Sequence, residues 1–373
     1  MSAGHVVIVG GGVTGLSAGW WLARSGVKVT VLDKFIVGWE ASGRNGGGAS
    51  HYQSPLFDEE QRLWPVMDEL LGYPTEHQSE RIVIAITETQ REQSRYTAKM
   101  LERMGYRTDP LDPQQVREAV PLAGENLGGI HYRFGGHANP QRSTQAFAWA
   151  LQDLGGRIVQ HCPVIGFDTT GGKVTAVRSA EASFGCDAVV IAAGPQTGML
   201  AAQLGIDVPL AAARAEMIVT EPAPMMQLTG VDGHKLYGRQ TLRGNLAYGG
   251  GPHEWIDVGE TGPVARPSTP LARNLALRLA QLLPGAADLN VIRSWAGVIE
   301  NTPDGRPVID RLGNVTIATM SGVGFGLSPA SGHAIRDLVV DGACSFADIS
   351  KLGLSRFEDL EPDWRERRGW LPL

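Results

Sequence analysis

A glycine-rich turn between two apolar runs near the N-terminus is the feature of this sequence that most restricts its fold. Residues 5–34 read HVVIVGGGVTGLSAGWWLARSGVKVTVLDK. The pattern predicts a buried strand over Val6–Val9, a helix from about Thr14 to Arg24 and a second strand over Val27–Leu32. This βαβ unit predicts an α/β protein built on a parallel sheet.

The glycines of this turn indicate a dinucleotide site. Gly10 is predicted to form the tight turn, Gly12 to let the backbone approach a pyrophosphate, and Gly15 to let helix and strand pack closely. Asp33 ends the second strand at the usual distance for binding ribose hydroxyls, and we include the adjacent Lys34 among the cofactor residues. These residues do not by themselves decide between NAD and FAD.

Composition excludes several classes of protein. A chain of 373 residues that is 43% hydrophobic can bury a large core and divide it into two lobes. Its longest apolar runs are too short to span a bilayer, and the N-terminus does not resemble a secretory signal, so we expect a cytoplasmic protein. The three cysteines are widely spaced and suggest neither disulfides nor a metal site. The net charge of −6, without blocks of basic residues, argues against nucleic acid as a partner.

Three further glycine-rich stretches fit a flavin better than a nicotinamide. In EASGRNGGGASHY, Arg44 and Asn45 precede three glycines, Gly46, Gly47 and Gly48, so that backbone amides and the Arg44 guanidinium are expected to meet the phosphates and the flavin edge without obstruction. CDAVVIAAGP is a buried strand that ends at Gly194. NVTIATMSGVGFGLSPASG predicts a strand, a loop and a helix that starts near Ser328 or Pro329. The N-terminus of that helix would stabilise negative charge on a reduced flavin.

Together these segments resemble the D-amino-acid oxidase superfamily of FAD enzymes. GGGVTGL, SGRNGGG, GGHANPQRSTQAFAWAL, WAGVIENTPDGRPVID and SGVGFGLSPASG carry the resemblance over essentially the whole chain. Within the superfamily, RNGGG and TPDGRPVID are most similar to sarcosine oxidase, dimethylglycine dehydrogenase and the flavin subunits of hetero-oligomeric proline, opine and sarcosine dehydrogenases.

The resemblance implies a two-domain architecture. An FAD-binding Rossmann-like domain of the glutathione-reductase type would comprise residues 1–78, 141–212 and 295–345. A second, α+β domain for the substrate, with a mixed or antiparallel sheet, would comprise residues 79–140 and 213–294, and residues 346–373 would form a tail. By the same resemblance Val164 would meet the adenine, and the cofactor would also contact Gly194, Gly322, Gly324, Phe325, Gly326 and Leu327.

The implied reaction is oxidation of a C–N bond in an amine or amino-acid derivative. Hydride would pass from the carbon beside the amine to FAD, and the resulting imine would hydrolyse. The predicted catalytic residues are His51, Tyr237, Arg239, Tyr248 and Glu300. For His137 and His333 a packing role is the better interpretation.

Several positions depart from the family pattern. Some relatives bind the substrate carboxylate with an arginine where this chain has Ile299, so that Arg239 or Arg243 would have to bind any carboxylate. The sarcosine oxidase type has a lysine at Gly326 and an arginine near Tyr52, a flavin-linked cysteine near Gly297 and an oxygen-activating lysine near Ala247. We therefore expect noncovalent FAD, unless His51 forms the link, and weak oxidase activity.

Glu300 is the unexpected residue of this segment, because a carboxylate at the end of an apolar strand needs a partner. One interpretation places it at the rim of the substrate pocket, where it would select substrates with an additional basic group. The other is that it caps the turn at Asn301–Gly305 or pairs with Arg306.

Other classes of function stay open at this point. A flavin monooxygenase or a pyridine-nucleotide reductase would show a second nucleotide motif or paired redox cysteines, and this sequence has neither. A D-amino-acid or glycine-type oxidase is an alternative. So is an FAD-bearing subunit that is inactive alone, works with other subunits or an electron acceptor, and docks on another protein through Trp364, Trp370 and Leu371; the other interpretation of these three residues is that they pack back on their own domain.

Overall fold

The computed structural model describes residues 4–257 and 266–367, of which Arg367 is described in its main chain only. The strands are β1 His5–Val9, β2 Lys28–Leu32, β3 Arg81–Ile84, β4 Thr108–Leu111, β5 Gly129–Tyr132, β6 Arg157–Val159, β7 Val164–Thr170, β8 Lys173–Ser179, β9 Ser183–Gly185, β10 Ala188–Ile191, β11 Ala211–Pro222, β12 Gly230–Gly233, β13 Leu236–Gln240, β14 Asn245–Gly250, β15 Glu254–Ile256, β16 Val291–Asn301, β17 Val308–Leu312 and β18 Val315–Thr319.

The helices are α1 Val13–Arg24, α2 Phe57–Leu63, α3 Met67–Leu71, α4 Glu88–Arg103, α5 Pro113–Ala119, α6 Pro140–Asp153, α7 Thr197–Ala202, α8 Thr269–Leu282, α9 Gly324–Val340 and α10 Trp364–Arg367. Within the described parts of the chain, none of them is both long enough and apolar enough to cross a membrane.

The first sheet contains the predicted βαβ unit. Its strand order is β17-β18-β10-β1-β2-β6, and every neighbouring pair is parallel except β17 with β18. Strand β1 is apolar throughout its buried part because both faces of the sheet are covered. Val6 and Ile8 pack into one core with α1, α6 and α9, whereas Val7 and Val9 pack into a second core shared with the small antiparallel sheet β7-β8-β9.

The second sheet has nine strands and is mixed, as predicted for the substrate domain. Its order is β15-β11-β14-β13-β12-β3-β5-β4, and the ninth strand, β16, also pairs with β11. Strands β12 and β3 are parallel, and the other paired neighbours are antiparallel. Helix α8 covers this sheet with Leu275, Leu279 and Leu282. The α/β fold class with a second mixed sheet is thereby confirmed.

Strand β16 differs from the predicted division of the chain. It begins at Val291 and continues to Asn301, and it pairs with β11 over its whole length. Residues 295–301, which we assigned to the FAD-binding domain, therefore belong to the second sheet and extend it toward the first. The remaining domain bounds stay a prediction.

Helix α9 begins at Gly324, earlier than the predicted start near Ser328 or Pro329. A proline inside a helix removes one main-chain donor, which leaves the carbonyl of Phe325 without its usual partner. The Ser328 hydroxyl supplies the missing hydrogen bond, with its Oγ 2.7 Å from the Phe325 oxygen. A local side-chain donor of this kind lets the helix continue through Pro329.

The C-terminal segment folds back on the chain as far as it is described. The Leu354 N–H donates to Asp310 Oδ2 at 2.8 Å, and Arg356 forms an ion pair with Asp304 at 2.9 Å. Trp364 then meets Trp255 of the second sheet edge to face, with ring centroids 6.3 Å apart. Trp370 and Leu371, which we predicted as docking residues, lie outside the described residues.

Candidate functional site

Two adjacent cavities form the candidate site. The first, of about 200 Å³, lies at the carboxyl ends of β1, β2, β10 and β18, where ligands of open α/β sheets bind. The predicted cofactor residues that line it are Gly10, Gly12, Asp33, Lys34, Asn45, Val164, Gly194, Gly322, Gly324 and Phe325. The predicted residues that line this cavity therefore come from stretches that are far apart in the chain.

Glycine is required in the turn for two different reasons. Gly10 has a φ of +115°, and a Cβ there would lie 2.2 Å from the carbonyl oxygen of Ala192. A Cβ on Gly15 would lie 2.1 Å from the carbonyl oxygen of Gly10, so Gly15 packs helix against strand and does not line the cavity. Gly12 has an ordinary φ of −74° and borders the cavity at the N-terminus of α1, where the Ser42 hydroxyl accepts from the Val13 N–H at 2.9 Å. The turn thus leaves an open space at the helix N-terminus, which suits a phosphate.

Asp33 is fixed in place by main-chain donors. Its Oδ2 accepts from the Gly11 N–H and its Oδ1 from the Phe35 N–H, each at 2.7 Å. Burial raises the pKa of the carboxyl group, and these two N–H donors oppose the rise. Because a carboxylate oxygen accepts more than one hydrogen bond, Asp33 keeps acceptor capacity toward the cavity for a ribose hydroxyl.

The second cavity, of about 370 Å³, lies between the first sheet and the second. Its lining includes the predicted residues Arg44, Gly46, Gly47, Gly48, His51, Tyr237 and Gly326. Five residues line both cavities, namely Ala41, Asn45, Ile299, Gly322 and Phe325. The two spaces are therefore neighbours, and an extended ligand can reach from one to the other.

The polar side chains of the RNGGG loop stabilise the loop itself. Arg44 donates to the carbonyl oxygens of Trp39 at 2.6 Å and Ala296 at 2.9 Å, so it ties the loop to β16. Asn45 donates to two carbonyl oxygens and accepts from the Gly47 N–H at 2.8 Å. Arg44 borders the second cavity rather than the first, so a direct contact with the phosphates, as we expected of it, has no support in this placement.

His51 forms a dyad with Glu60, a residue that the sequence did not single out. Its Nδ1 is 2.7 Å from Glu60 Oε1, and its main-chain N–H donates to Oε2 at 2.9 Å. The Glu60 side chain is completely buried, whereas the His51 side chain is 23% exposed and lines the second cavity. A carboxylate can only accept, so Nδ1 carries the proton in the neutral ring and Nε2 is the basic nitrogen.

The three predicted residues of the β13–β14 hairpin have different surroundings. Tyr237 lines the second cavity and packs over Gly46, and it is 38% exposed. Arg239 lies beneath the loop, where it donates to the Gly46 carbonyl oxygen at 2.5 Å, and burial lowers its pKa to about 10. Tyr248 lies fully buried in the core of the second sheet. We therefore correct the expectation that Arg239 and Tyr248 face a substrate.

Glu300 faces the first cavity and not the second. Along β16 the side chains alternate, so Gly297, Ile299 and Asn301 border the second cavity while Glu300 borders the first near Gly194. Glu300 Oε1 accepts from the Met320 N–H at 2.9 Å, and burial raises the pKa of the carboxyl group. The predicted position of Glu300 at the rim of the substrate pocket is thus incorrect, and with it the reason to expect a basic substrate.

The alternative role predicted for Glu300, capping the turn at Asn301–Gly305 or pairing with Arg306, is filled by other residues. In the turn, Thr302 Oγ1 donates to the Arg306 carbonyl oxygen at 2.8 Å, and Asp304 Oδ1 accepts from the Arg306 N–H at 3.1 Å. Asp304 in turn pairs with Arg356. These contacts stabilise the turn without Glu300.

The second cavity also contains an ion pair that the sequence did not reveal. Arg81 on β3 and Asp232 on β12 lie 2.8 Å apart between Nη1 and Oδ2, and both border the cavity. The two strands are parallel neighbours although they are far apart in the chain, with Asp232 opposite Val83. The sequence does not show that β3 and β12 pair, because the two strands are far apart in the chain. From the sequence alone, Arg81 is interpreted as a solvated residue at a strand end and Asp232 as part of a turn.

A family match covers nearly all of the chain. The model of the DAO family, described as FAD dependent oxidoreductases, matches residues 5–338. The chain belongs to this family. It is therefore an FAD-dependent oxidoreductase, and the resemblance that we drew from its motifs is confirmed.

Individual DAO-family proteins match over similar lengths. One subunit of the opine oxidase of Agrobacterium tumefaciens is 30% identical over 351 residues, which cover 88% of this chain and 91% of that protein. The beta subunit of the sarcosine oxidase of Rhodobacter capsulatus is 25% identical over 374 residues, which cover 95% and 88%. L-proline dehydrogenase from P. horikoshii superposes with a TM-score of 0.85 at 23% identity over 99% of both chains, a likeness of fold.

Three of the positions that depart from the DAO-family pattern, Gly297, Ile299 and Gly326, border the second cavity. A Cβ on Gly326 would lie 2.2 Å from His51 Cε1, so no side chain fits there while His51 has this position. A Cβ on Gly297 would lie 3.3 Å from Ala41 Cα. Ile299 presents an apolar side chain to the cavity at the position where the resemblance would place an arginine. His51 thus occupies the space beside Gly326, where the resemblance would place a lysine.

Proposed function

We propose that this enzyme oxidises the C–N bond of a secondary amine or N-substituted amino acid, with FAD as its redox cofactor. The observation that carries the proposal is the His51–Glu60 dyad in a cavity that adjoins the dinucleotide cavity. Relatives named for sarcosine and opines support the same substrate class.

The residues of the first cavity fit the nucleotide part of FAD. Gly12 and the N-terminus of α1 would hold the pyrophosphate, Asp33 the ribose hydroxyls, and Val164 the adenine. The residues shared by the two cavities, Asn45 and Gly322 among them, would border the middle of the molecule. Bound FAD supplies the acceptor for a hydride from the substrate carbon.

His51 would prepare the amine for that step. A secondary amine is protonated at neutral pH and cannot release hydride from its neighbouring carbon until the proton is removed. With Nδ1–H held by Glu60, the basic Nε2 is available to accept this proton. Glu60 also stabilises the imidazolium that results, because the carboxylate is fully buried and close to the ring. Hydrolysis of the imine product then gives a carbonyl compound and a smaller amine.

We propose that FAD is bound without a covalent link. The position of the cysteine link is Gly297 in this chain, which has no reactive side chain. His51 is the remaining candidate near the second cavity, and its ring is held between Glu60 and Gly326.

A second candidate is the FAD-bearing subunit of a hetero-oligomeric dehydrogenase. It is favoured by two relatives that are themselves named as subunits. The position expected for the oxygen-activating lysine is Ala247, which is buried on β14 opposite Arg239. We therefore propose that electrons leave to an acceptor or partner subunit and not mainly to oxygen, as they would in a glycine-type oxidase.

Product analysis tests the proposed reaction. The purified, FAD-loaded protein is incubated with an N-alkyl amino acid and an artificial electron acceptor, and the products are identified by mass spectrometry. We expect a carbonyl compound and a smaller amine in equal amounts, matched by reduced acceptor. Activity restricted to primary D-amino acids or glycine would support the oxidase alternative instead.

A further inference from the structure

The proposed function leaves the carboxylate of an amino-acid substrate without a binding residue. The position of the arginine used by some relatives is Ile299, and Arg239 donates to the loop from beneath it. Arg243 follows Gln240 in the β13–β14 turn and does not border the second cavity. A carboxylate in this partly enclosed space needs a charged donor, because its desolvation is otherwise too costly.

Among the described residues, two arginines border the second cavity, Arg44 and Arg81. Arg44 is occupied by structural contacts. Its Nε and Nη1 donate to Trp39 and Ala296, and its guanidinium lies over the Trp39 ring, 4.9 Å from the centroid. These two hydrogen bonds leave Arg44 with further N–H donors, but they fix its guanidinium to the loop and to β16, so Arg44 is the less adaptable of the two arginines.

Arg81 is held in place but retains donor capacity. Nη1 pairs with Asp232 at 2.8 Å, and the guanidinium packs over the Tyr132 ring at 5.3 Å. In the described part of the chain its buried Nε has no hydrogen-bond partner. Gly230 gives it room, since a Cβ there would lie 3.1 Å from Arg81 Cβ. The side chain is 18% exposed, and it borders the cavity.

Asp232 is itself anchored and can orient the arginine. Its Oδ1 accepts from the Gly238 N–H at 3.1 Å, while its Oδ2 faces Arg81. A guanidinium has five N–H donors in a fixed plane, so one carboxylate on one edge leaves other donors for a second carboxylate. A bound anion would also restore the charge balance of a cavity in which Arg44 is a second cation.

We propose that Arg81 binds the substrate carboxylate and that Asp232 is a positioning residue for it. This inference rests on the proposed function. It transfers carboxylate recognition from strand β16, which contains Ile299, to strand β3, which is not a neighbour of β16 in the second sheet. It also predicts that amino acids are preferred over amines of the same shape without a carboxylate.

The test uses a ligand that cannot be oxidised. Pyrrole-2-carboxylate keeps a ring N–H and a carboxylate, and pyrrole-2-carboxamide is its neutral counterpart. Both are titrated into the FAD-loaded protein, and binding is followed by the change in flavin absorbance. For the wild-type protein we expect the carboxylate to bind at least tenfold more tightly than the amide.

The decisive variant is Arg81→Met combined with Asp232→Asn, which avoids leaving one buried charge unpaired. We expect it to lose the preference for the carboxylate while its affinity for the amide changes less than threefold. Asp232→Asn alone should lose part of the preference. Arg178→Met is the matched control, because Arg178 also pairs with an aspartate, Asp168 at 3.0 Å, but does not border the cavity. It should behave as the wild type.

Two results would overturn the inference: a wild-type protein with no preference for the carboxylate, or a double variant that keeps the preference with its FAD content intact. If the double variant retains too little FAD to be read, the Asp232→Asn protein is used, and an unchanged preference there refutes the positioning role. Anaerobic reduction of wild-type flavin by N-alkyl amino acids, measured beside these titrations, tests the proposed function separately.

Discussion

Glu300 Oε1 accepts a hydrogen bond from the Met320 N–H at 2.9 Å, which holds the carboxylate at the end of β18 and beside the first cavity. We therefore predict that Glu300→Gln leaves the preference among cationic and neutral substrates unchanged, because the amide oxygen can still accept from Met320. Glu300→Ala removes the acceptor and should lower the free energy of unfolding by about 1–3 kcal/mol. Urea unfolding and substrate affinities measure the two effects, and a changed preference for cationic substrates in Glu300→Gln would contradict this assignment.

The glycines of the first turn should separate folding from cofactor binding. Gly12→Leu places a side chain in the first cavity from a backbone that any residue can adopt. We expect a folded protein that purifies without FAD. Gly15→Ala, in contrast, directs its Cβ toward the Gly10 carbonyl oxygen and should destabilise the βαβ unit itself. Circular dichroism and the ratio of flavin to protein absorbance distinguish these outcomes; FAD retained at the wild-type level in Gly12→Leu would contradict the site.

Removal of the proposed base should slow flavin reduction without loss of the cofactor. We predict that His51→Asn lowers the rate of anaerobic flavin reduction at neutral pH by about 10²–10⁴-fold. Glu60→Gln should have a smaller effect and should shift the pH profile of the rate, because the Nδ1–H donor loses its charged acceptor. Stopped-flow reduction between about pH 6 and pH 10 is the measurement, a range that spans the ordinary histidine pKa. Equal pH profiles for Glu60→Gln and the wild type would refute a role for the dyad.

His137 should make the protein less stable in acid. The Thr229 hydroxyl donates to Gln78, so His137 Nε2 donates to Thr229 at 3.0 Å, and in the described part of the chain the buried Nδ1 has no hydrogen-bond partner. Burial, with a contribution from nearby Arg239, lowers its pKa to about 3. Because the unfolded histidine binds a proton near pH 6.5 and the folded one does not, stability is complete above that pH and falls below it.

This histidine alone should lower the free energy of unfolding by about 2 kcal/mol between about pH 8 and pH 5. His137→Gln removes the titrating group while it keeps a donor for Thr229. Urea unfolding of the FAD-loaded proteins at both pH values gives the comparison. The variant should lose about 2 kcal/mol less than the wild type over this range, and parallel losses would contradict the prediction.

The cofactor should be released intact by acid or heat. Ala41 and Arg44 adjoin Gly297, where the resemblance would place a linking cysteine, and His51 is held by Glu60. Precipitation of the protein should therefore leave all yellow colour in the supernatant as FAD. Flavin that stays with the precipitated His51→Asn protein would point to a link elsewhere, and flavin that stays only with the wild type would identify His51 as the link.

The dinucleotide turn of the first cavity could be predicted from the sequence because its signals are local, whereas Val164 was added only through the family resemblance. Gly10, Gly15 and Asp33 belong to one βαβ unit, and their spacing reflects contacts within that unit. The second cavity could be predicted only in part. The loop that leads to His51 was visible, but Glu60 reaches it from α2, whose acidic residues read as a solvated helix face.

Two errors have a common physical origin in strand pairing. Strand alternation shows which residues of β16 share a face, but it does not show which cavity that face borders. The pairing of β16 with β11 decides this, and for that reason Glu300 was assigned to the wrong cavity. Arg81 and Asp232 were missed because their strands are parallel neighbours without a nearby connection. Neither fact has a local signature in the sequence.

Anaerobic mixing of the FAD-loaded protein with N-substituted amino acids tests the proposed oxidation of a C–N bond most directly. The panel contains N-alkyl amino acids, proline and an opine, with the corresponding amines that lack a carboxylate as controls, and the visible absorbance of the oxidised flavin is followed over time. We predict that at least one N-substituted amino acid bleaches the flavin in a single turnover and that its decarboxylated counterpart does so far more slowly. An oxidised flavin that persists with every member of the panel, or that is bleached by NADPH alone, would contradict the proposed function.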